Sequence, residues 1–369
     1  MSIPSMKVGV VGCGNISSIY CRRIKEFDVL ELAACADLDR SKAQDRADEF
    51  GIPPVCSTAE LMADPDIDSV VNLTIPRAHH EVARQAIAAR KHVYNEKPLA
   101  ESLEQGRELC ELADAMGVRL GCAPDTFLGG GLQSCRTYID AGLIGVPVAA
   151  TAFMMCRGHE TWHPSPEFYY KPGGGPMFDM GPYYLTALVA LLGPVKRVAG
   201  CTSISFAERT ITSQPKHGEV ITVETPTHIA GLLEFDSGAV GSIITSFDVY
   251  GAQLPRIEIY GSEGTLSVPD PNGFGGPVRV YKPGEYDWDA LPLSHGHCEN
   301  YRGLGVADLA YGVQLNRPHR ANGAMACHVL EIMHAFLKSN DESAYVAVES
   351  RCERPDPLPP ADSESLLAC

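Results

Sequence analysis

Lys7–Val11, a short β-type run, leads directly into Gly12-Cys-Gly14-Asn-Ile-Ser17, and nothing else in the 369-residue chain restricts its fold as tightly. A strand that meets a GxGxxG-like turn with a small final residue must reverse into a helix packed close against it. Gly12 permits the sharp turn, and Gly14 lets the backbone approach a pyrophosphate. The helix predicted over 15–27 opens with Asn15 and Ile16, whose amides would point at that anion. A second β-type run, "VLELAACAD", ends at Asp37, about twenty residues past the turn, where an acid can bind a ribose diol. The other reading makes Asp37 the cap of a helix starting near Arg40. As a ribose ligand it favours NAD over NADP, because a carboxylate repels a 2′-phosphate; Arg40 nearby keeps NADP open.

The alternation continues with a strand over Ser69–Thr74, a helix over Ala78–Ala89, a strand over His92–Glu96, a helix over Leu103–Met116 and a strand over Val118–Cys122. Such repetition builds a parallel doubly wound sheet with its ligand at the carboxyl ends of the strands. After Pro124 the pattern changes. Apolar β-rich stretches cover Val148–Cys156, Val195–Phe206, Glu219–Glu224, His228–Phe235, Ala239–Asp248, Arg256–Tyr260, Gly264–Val268 and Val278–Tyr281. "DSG" at 236–238 and "GSEG" at 261–264 suit hairpin turns. The expected fold is an α/β doubly wound Rossmann domain over 1–124, then an α+β domain over 125–369 with a large, mostly antiparallel open sheet. "PDPLPP" at 355–360 forms a short extended tail.

Composition narrows the function. With 45% hydrophobic and 21% charged residues the chain is an ordinary globular protein, long enough for two domains. A formal net charge of −16 and no Lys/Arg cluster argue against a nucleic-acid partner. No uncharged apolar run reaches the length of a membrane span, and the first residues lack a secretory signal. The 13 cysteines are odd in number and form no CxxC pair, so they are expected as buried thiols in a reducing compartment, the cytoplasm.

Glu96-Lys97-Pro98 falls at the carboxyl end of a predicted strand, where Lys97 would face the crevice and an X-Pro bond can be cis. A surface lysine beside a helix-starting proline is the other reading. With these residues in place the sequence resembles the Gfo/Idh/MocA oxidoreductases, relatives of glucose–fructose oxidoreductase and inositol dehydrogenase. The resemblance runs nearly the whole chain, through the glycine turn, Asp37, "NLTIPRAHHEVA" and "RKHVYNEKP"; Thr74 and His79 match the family's Thr and His. It implies hydride transfer between a nicotinamide and a pyranose, cyclitol or related polyol. It further implies cofactor contacts from Gly12, Gly14, Asn15, Ile16, Asp37, Thr74, His79, Glu96 and Lys97, with Lys97 also touching the reacting hydroxyl. An open sheet paired with a second subunit's implies a homodimer or homotetramer.

In "GGGPMFDMGPYYLTALVALLG", residues 173–193, Pro176 suits a helix start, and Leu185, Leu188, Val189 and Leu192 would bury one face. Asp179 and Tyr183 share a face if one helix runs through both despite Pro182. The family pattern is D-x-G-x-H. Asp179 and Gly181 match, Tyr183 replaces the histidine, and Thr186 stands where many members carry a further Asp. Histidine, with a pKa of about 6.5, is a natural base; tyrosine, at about 10, needs a neighbouring ammonium. A Lys97–Tyr183 acid–base couple is therefore expected, with Asp179 orienting it; the alternative makes Tyr183 a packed wall.

"HETWH" at 159–163 has the spacing of a zinc-peptidase signature. Gly158 before it and Pro164 and Pro166 after it are loop features, so no metal is expected. Trp162 offers a plate for a pyranose face, and His159 or His163 can stand in as base; both histidines otherwise lie on a loop surface. Arg302 binds a substrate oxygen or pairs with an acid. His295 and His297 are further candidates, whereas His328 and His334 fall on a helix whose Met325, Val329, Ile332, Met333 and Phe336 mark core packing. Three functions fit: an NAD-dependent dehydrogenase of a sugar, cyclitol or glycoside; redox-neutral glycoside cleavage by transient oxidation with bound NAD; and a non-catalytic dinucleotide and sugar sensor.

Overall fold

Valine, alanine and cysteine fill the strands β1 (Met6–Val11), β2 (Leu30–Ala36), β3 (Ser69–Asn72), β4 (His92–Asn95) and β5 (Leu120–Cys122). The computed structural model describes residues 4–53 and 55–359, so the outer ends of both expected domains and the last proline of the 355–360 tail lie outside it. The five strands pair in parallel in the order β2-β1-β3-β4-β5. Beyond β2 a single parallel bridge, Cys35 to Val55, marks the place of one more strand. With it, the spatial order matches that of dinucleotide folds, and the chain reverses direction across the sheet between β1 and β3.

The intervening helices are α1 (Ser17–Ile24), α2 (Arg40–Phe50), α3 (Thr58–Ala63), α4 (Pro76–Ala88) and α5 (Leu103–Met116). Asp39 caps α2, and Ser57–Glu60 and Ser102–Gln105 form capping boxes on α3 and α5. Helix α1 is shorter than the predicted 15–27, because residues 14–16 form a turn before it.

The second half begins with α6 (Gly130–Asp140), β6 (Pro147–Met155), α7 (Gly175–Asp179), α8 (Gly181–Leu192) and β7 (Val195–Ser203). A small ribbon, β8 (Glu208–Thr210) with β9 (Val220–Thr222), precedes the hairpin of β10 (His228–Phe235) and β11 (Val240–Ser246). Then come β12 (Ile257–Gly261), β13 (Gly264–Val268), β14 (Val278–Tyr281), β15 (Asp289–Leu291), α9 (Leu304–Gln314), α10 (Gly323–Glu342) and β16 (Val346–Ala347). The sheet order is β15-β14-β13-β12-β6-β11-β10-β7-β16, antiparallel except between β6 and β11. Both predicted hairpins are present, at 236–238 and 261–264.

Two expectations are corrected. The 219–224 stretch does not join the large sheet: its strand buries only Ile221, too little apolar face to seat against the helical layer, and pairs with β8 alone. Helix α8 is buried on every side rather than one, because Ala187, Ala190 and Leu191 continue its apolar surface and α6, α10 and β6 surround it. The chain finally returns to the first sheet: Asn322 bridges Gly121, the Cys122 amide donates to Ala321 O at 3.0 Å, and α10 packs on both α5 and β7. Within the described part of the tail, 355–359, Leu358 is buried and its amide donates to Gln133. No helix among the described residues is long and apolar enough to cross a membrane.

Candidate active site

At the carboxyl end of β1, Gly12 has φ +98°, and a Cβ there would sit 2.6 Å from the Leu73 carbonyl carbon and 2.8 Å from the Thr74 nitrogen. Only glycine fits so close to β3. A Cβ on Gly14 would meet nothing within 4 Å, which leaves open space beside the turn. Ser17 packs beneath, its hydroxyl donating to Gly14 O at 2.6 Å. Asp37 is not the cap of α2; Asp39 is. The Asp37 carboxylate instead accepts the Cys13 amide at 2.7 Å and the Asp39 amide at 2.8 Å, which ties the end of β2 to the glycine turn. Arg40 lies nearby but exposed. This open cradle, walled by Gly12 and carrying an acid at the β2 end, fits a dinucleotide with a free ribose diol.

Across the crevice, at the end of β4, the Lys97–Pro98 bond is cis. His79 is buried beneath it with both ring nitrogens on main-chain oxygens, Pro98 O at 2.7 Å and Thr74 O at 3.0 Å, so it ties the β3 and β4 loops together and offers no free nitrogen to a ligand. Thr74 Oγ1 donates to Asn72. Glu96 accepts from the Tyr20 hydroxyl at 2.8 Å.

Lys97 Nζ donates to Asp179 Oδ1 at 2.8 Å and to Asp179 O at 2.6 Å. That carbonyl is free because Pro182 interrupts the helix: α7 ends at Asp179, and the Tyr183 amide turns to Met180 O at 3.1 Å. Asp179 and Tyr183 therefore sit on two helices rather than one. The other oxygen, Asp179 Oδ2, lies 2.8 Å from His159 Nε2, while His159 Nδ1 accepts from Trp162 Nε1 at 3.2 Å. With Nδ1 an acceptor, the proton belongs on Nε2, pointing at Asp179. Tyr183 meets Lys97 with its ring, centroid 5.3 Å from Nζ, and its phenol lies beside the Arg302 guanidinium. Arg302 also donates to Asn272 at 2.8 Å and Asn300 at 3.0 Å.

Burial works against a charged Lys97, but Asp179 first, then Tyr183 and Glu96, hold its pKa above the ordinary lysine value. Burial likewise pushes Asp179 upward, and Lys97 and His159 overcome it, holding the carboxyl well below the usual range. The resting state is thus an ammonium–carboxylate pair.

The HETWH side chains go separate ways. Residues 159–161 form one 3₁₀ turn; His159 goes to Asp179, and Glu160 to Arg209 at 3.0 Å and to the Tyr170 hydroxyl. His163 Nδ1 accepts the Ser165 amide at 3.0 Å, and burial lowers its pKa. His159 is not a surface residue, at 9% exposure, whereas Trp162 is 60% exposed. His295 lies elsewhere, against Leu358 O and Ser294, and His297 lies edge-on to Tyr301 and tilted against Phe27. His328 and His334 bond to Val195 N and Glu101 O, in packing positions.

Three neighbours escaped the sequence reading. Tyr20 holds Glu96 from α1, and Tyr169 lies against His159. Asp125, after β5, is buried, accepts the Gly303 and Gly305 amides at 2.9 Å at the start of α9, and is pushed up to about 6 by burial. The signal for Asp125 was faint: an acid after a proline at a strand end.

A glycine cradle with a ribose-side acid, and a part-buried lysine–aspartate pair joining the two halves of the chain, fit an oxidoreductase with an NAD-binding Rossmann fold. The chain belongs to the GFO/IDH/MocA oxidoreductase family: residues 6–123 match its NAD-binding Rossmann domain and residues 132–267 its C-terminal domain. It is 30% identical to 1,5-anhydro-D-fructose reductase of Ensifer adhaerens over 266 residues, 70% of this chain and 74% of that one. It is 26% identical to myo-inositol 2-dehydrogenase of Thermotoga maritima over 263 residues, 71% and 74% of the two chains. An NAD-binding oxidoreductase from Klebsiella pneumoniae shares the fold with TM-score 0.83 at 24% identity, over 94% of this chain and 100% of the other.

Proposed function

We propose that the protein is an NAD(H)-dependent dehydrogenase that interconverts a carbinol and a carbonyl on a sugar, cyclitol or glycoside. The observation that carries this reading is the bonded row Lys97–Asp179–His159, which joins the end of β4 to the second half of the chain. Relatives that act on an anhydrofructose and an inositol support the substrate class. Bound NAD supplies hydride exchange with the carbinol carbon. Two of the three Lys97 protons are directed at Asp179, and the third is available to the substrate oxygen. Lys97 as ammonium gives that proton when a carbonyl is reduced, and as the neutral amine it takes the hydroxyl proton when a carbinol is oxidised; Asp179 fixes its position, and His159 holds Asp179 from the other side. In this reading Tyr183 is a wall of the site, with the Arg302 guanidinium beside its hydroxyl.

In this reading NAD is preferred over NADP, because the Asp37 carboxylate lies at the end of β2, where dinucleotide folds hold a ribose diol. We assign residues 1–124 to the dinucleotide and 125–369 to the substrate and to self-association, with α9 and α10 closing over the first unit. The outer face of the large sheet carries Phe153, Ile244, Leu232, Val240 and Ala199 in register, with Leu232 45% and Val240 52% exposed, which supports a homodimer or homotetramer through this face. The exposed free thiol of Cys201 suits a reducing cytoplasm. The test is NADH formation by the purified protein against polyols, free sugars and glycosides, with NADP in parallel. Net NADH supports a dehydrogenase, substrate cleavage without net NADH points to the redox-neutral route, and neither product sinks the proposal.

A further inference from the structure

We propose that the 159–170 loop carries a second ring-binding subsite beside the reacting sugar, so that the preferred substrate is a glycoside with a ring on its anomeric oxygen. This rests on the dehydrogenase reading above and concerns the substrate class it takes.

Five rings form one continuous ledge. His159 contacts Tyr169 at 4.4 Å and Trp162 at 5.2 Å between centroids; Tyr169 contacts Phe168 at 4.0 Å; His163 joins Trp162, Tyr169 and Phe168 at 5.4, 5.4 and 5.5 Å. The ledge starts at Asp179, to which His159 is bonded, and opens outward: His159 is 9% exposed, Phe168 51% and Trp162 60%. Trp162 and Phe168, each set edge-on against His163, gain nothing for the fold from that exposure; exposed apolar patches mark binding surfaces.

The ledge is also fixed. Trp162 is pinned by its bond to His159 Nδ1. Below it Glu160 accepts from buried Arg209, which also pairs with Asp248, and from the Tyr170 hydroxyl. The Thr212 and Ser213 amides donate to Glu160 O at 2.9 and 3.2 Å, and Ser213 Oγ to His163 O at 2.6 Å. A surface organised before the ligand arrives loses less entropy on binding. The apolar face of a pyranose or aryl ring packs on aromatic side chains. His163, whose Nδ1 accepts the Ser165 amide, keeps its proton on Nε2 and supplies one donor for a hydroxyl. A free monosaccharide or cyclitol seated at Lys97 would leave this surface bare.

The test compares kcat/KM with NAD for glucose, methyl β-glucoside, phenyl β-glucoside and cellobiose, repeated in the galacto and manno series. The subsite predicts that the phenyl glycoside or the disaccharide exceeds the methyl glycoside by about tenfold, and that Phe168→Ala lowers this ratio about three- to tenfold. A preference for phenyl assigns an aryl ring, and one for the disaccharide a second sugar. Equal values across the series, or a ratio that Phe168→Ala leaves intact, overturn the subsite while the dehydrogenase stands. A Phe168→Ala protein with lower solution mass overturns it also, since a second copy then covers the ledge. Trp162 is one of two tryptophans, so Trp288→Phe leaves it as the sole reporter. A saturable fluorescence change on adding phenyl β-glucoside to the NADH complex supports the subsite without turnover, and no change with any of the glycosides counts against it.

Discussion

Lys97 owes its protonation state to its neighbours, and this gives the pH dependence a sign. Its pKa is raised, so the ammonium persists through neutral and mildly alkaline pH. Carbinol oxidation needs the amine, so its kcat/KM should climb with pH into the alkaline range, while carbonyl reduction stays level until that limb. Asp179→Asn removes the main influence that raises the pKa and leaves burial, which lowers it; the limb should move down by about one to three pH units. Rate profiles of the two proteins check this. His159→Ala should cost about a hundredfold in kcat, whereas Tyr183→Phe should change it by less than about threefold and leave the profile in place. Lys97 and Asp37 were legible because strand ends and spacings place them. The His159–Asp179 bond was not: it joins residues twenty apart through a loop whose path no periodicity encodes. Tyr183 does stand beside Lys97, as the family pattern implied, but with its ring toward the ammonium.

Among the elements, the break between α7 and α8 serves the site. Pro182→Ala restores a backbone N–H and lets one helix run through 175–192, so the Tyr183 amide competes for the carbonyl that Lys97 now holds. Losing that charge-assisted bond should lower kcat/KM about tenfold, with Tm moving by only a few degrees, as steady-state kinetics and thermal melts will read. The glycine turn is less forgiving: Gly12→Ala forces φ +98° on a side chain and drives its Cβ into β3, so it should cost about 2 kcal/mol or more of stability and abolish NADH binding. The parallel sheet was legible because its strands alternate with periodic helices. The ribbon of β8 and β9 and the full burial of α8 were not, since partner choice and the number of covering layers follow from tertiary packing rather than from local pattern.

Over the whole molecule, α10 spans both sheets and Asp125 grips the start of α9, so the seam that holds Lys97 and Asp179 is built from both halves. Such closure joins residues two hundred apart, beyond any local signal. The nine-stranded face makes a separate prediction: Leu232→Arg should reduce the mass seen by light scattering toward that of one chain, with the far-ultraviolet spectrum unchanged. The most direct test of the central claim follows hydride from a carbinol deuterated at carbon, with NAD, in the native protein and in Lys97→Met. The account predicts NADH formation with a primary isotope effect, and a loss of at least about a hundredfold in Lys97→Met while that variant still binds NADH. Turnover of Lys97→Met at the native rate, or a native protein that binds NADH yet takes hydride from no polyol, sugar or glycoside, would contradict it.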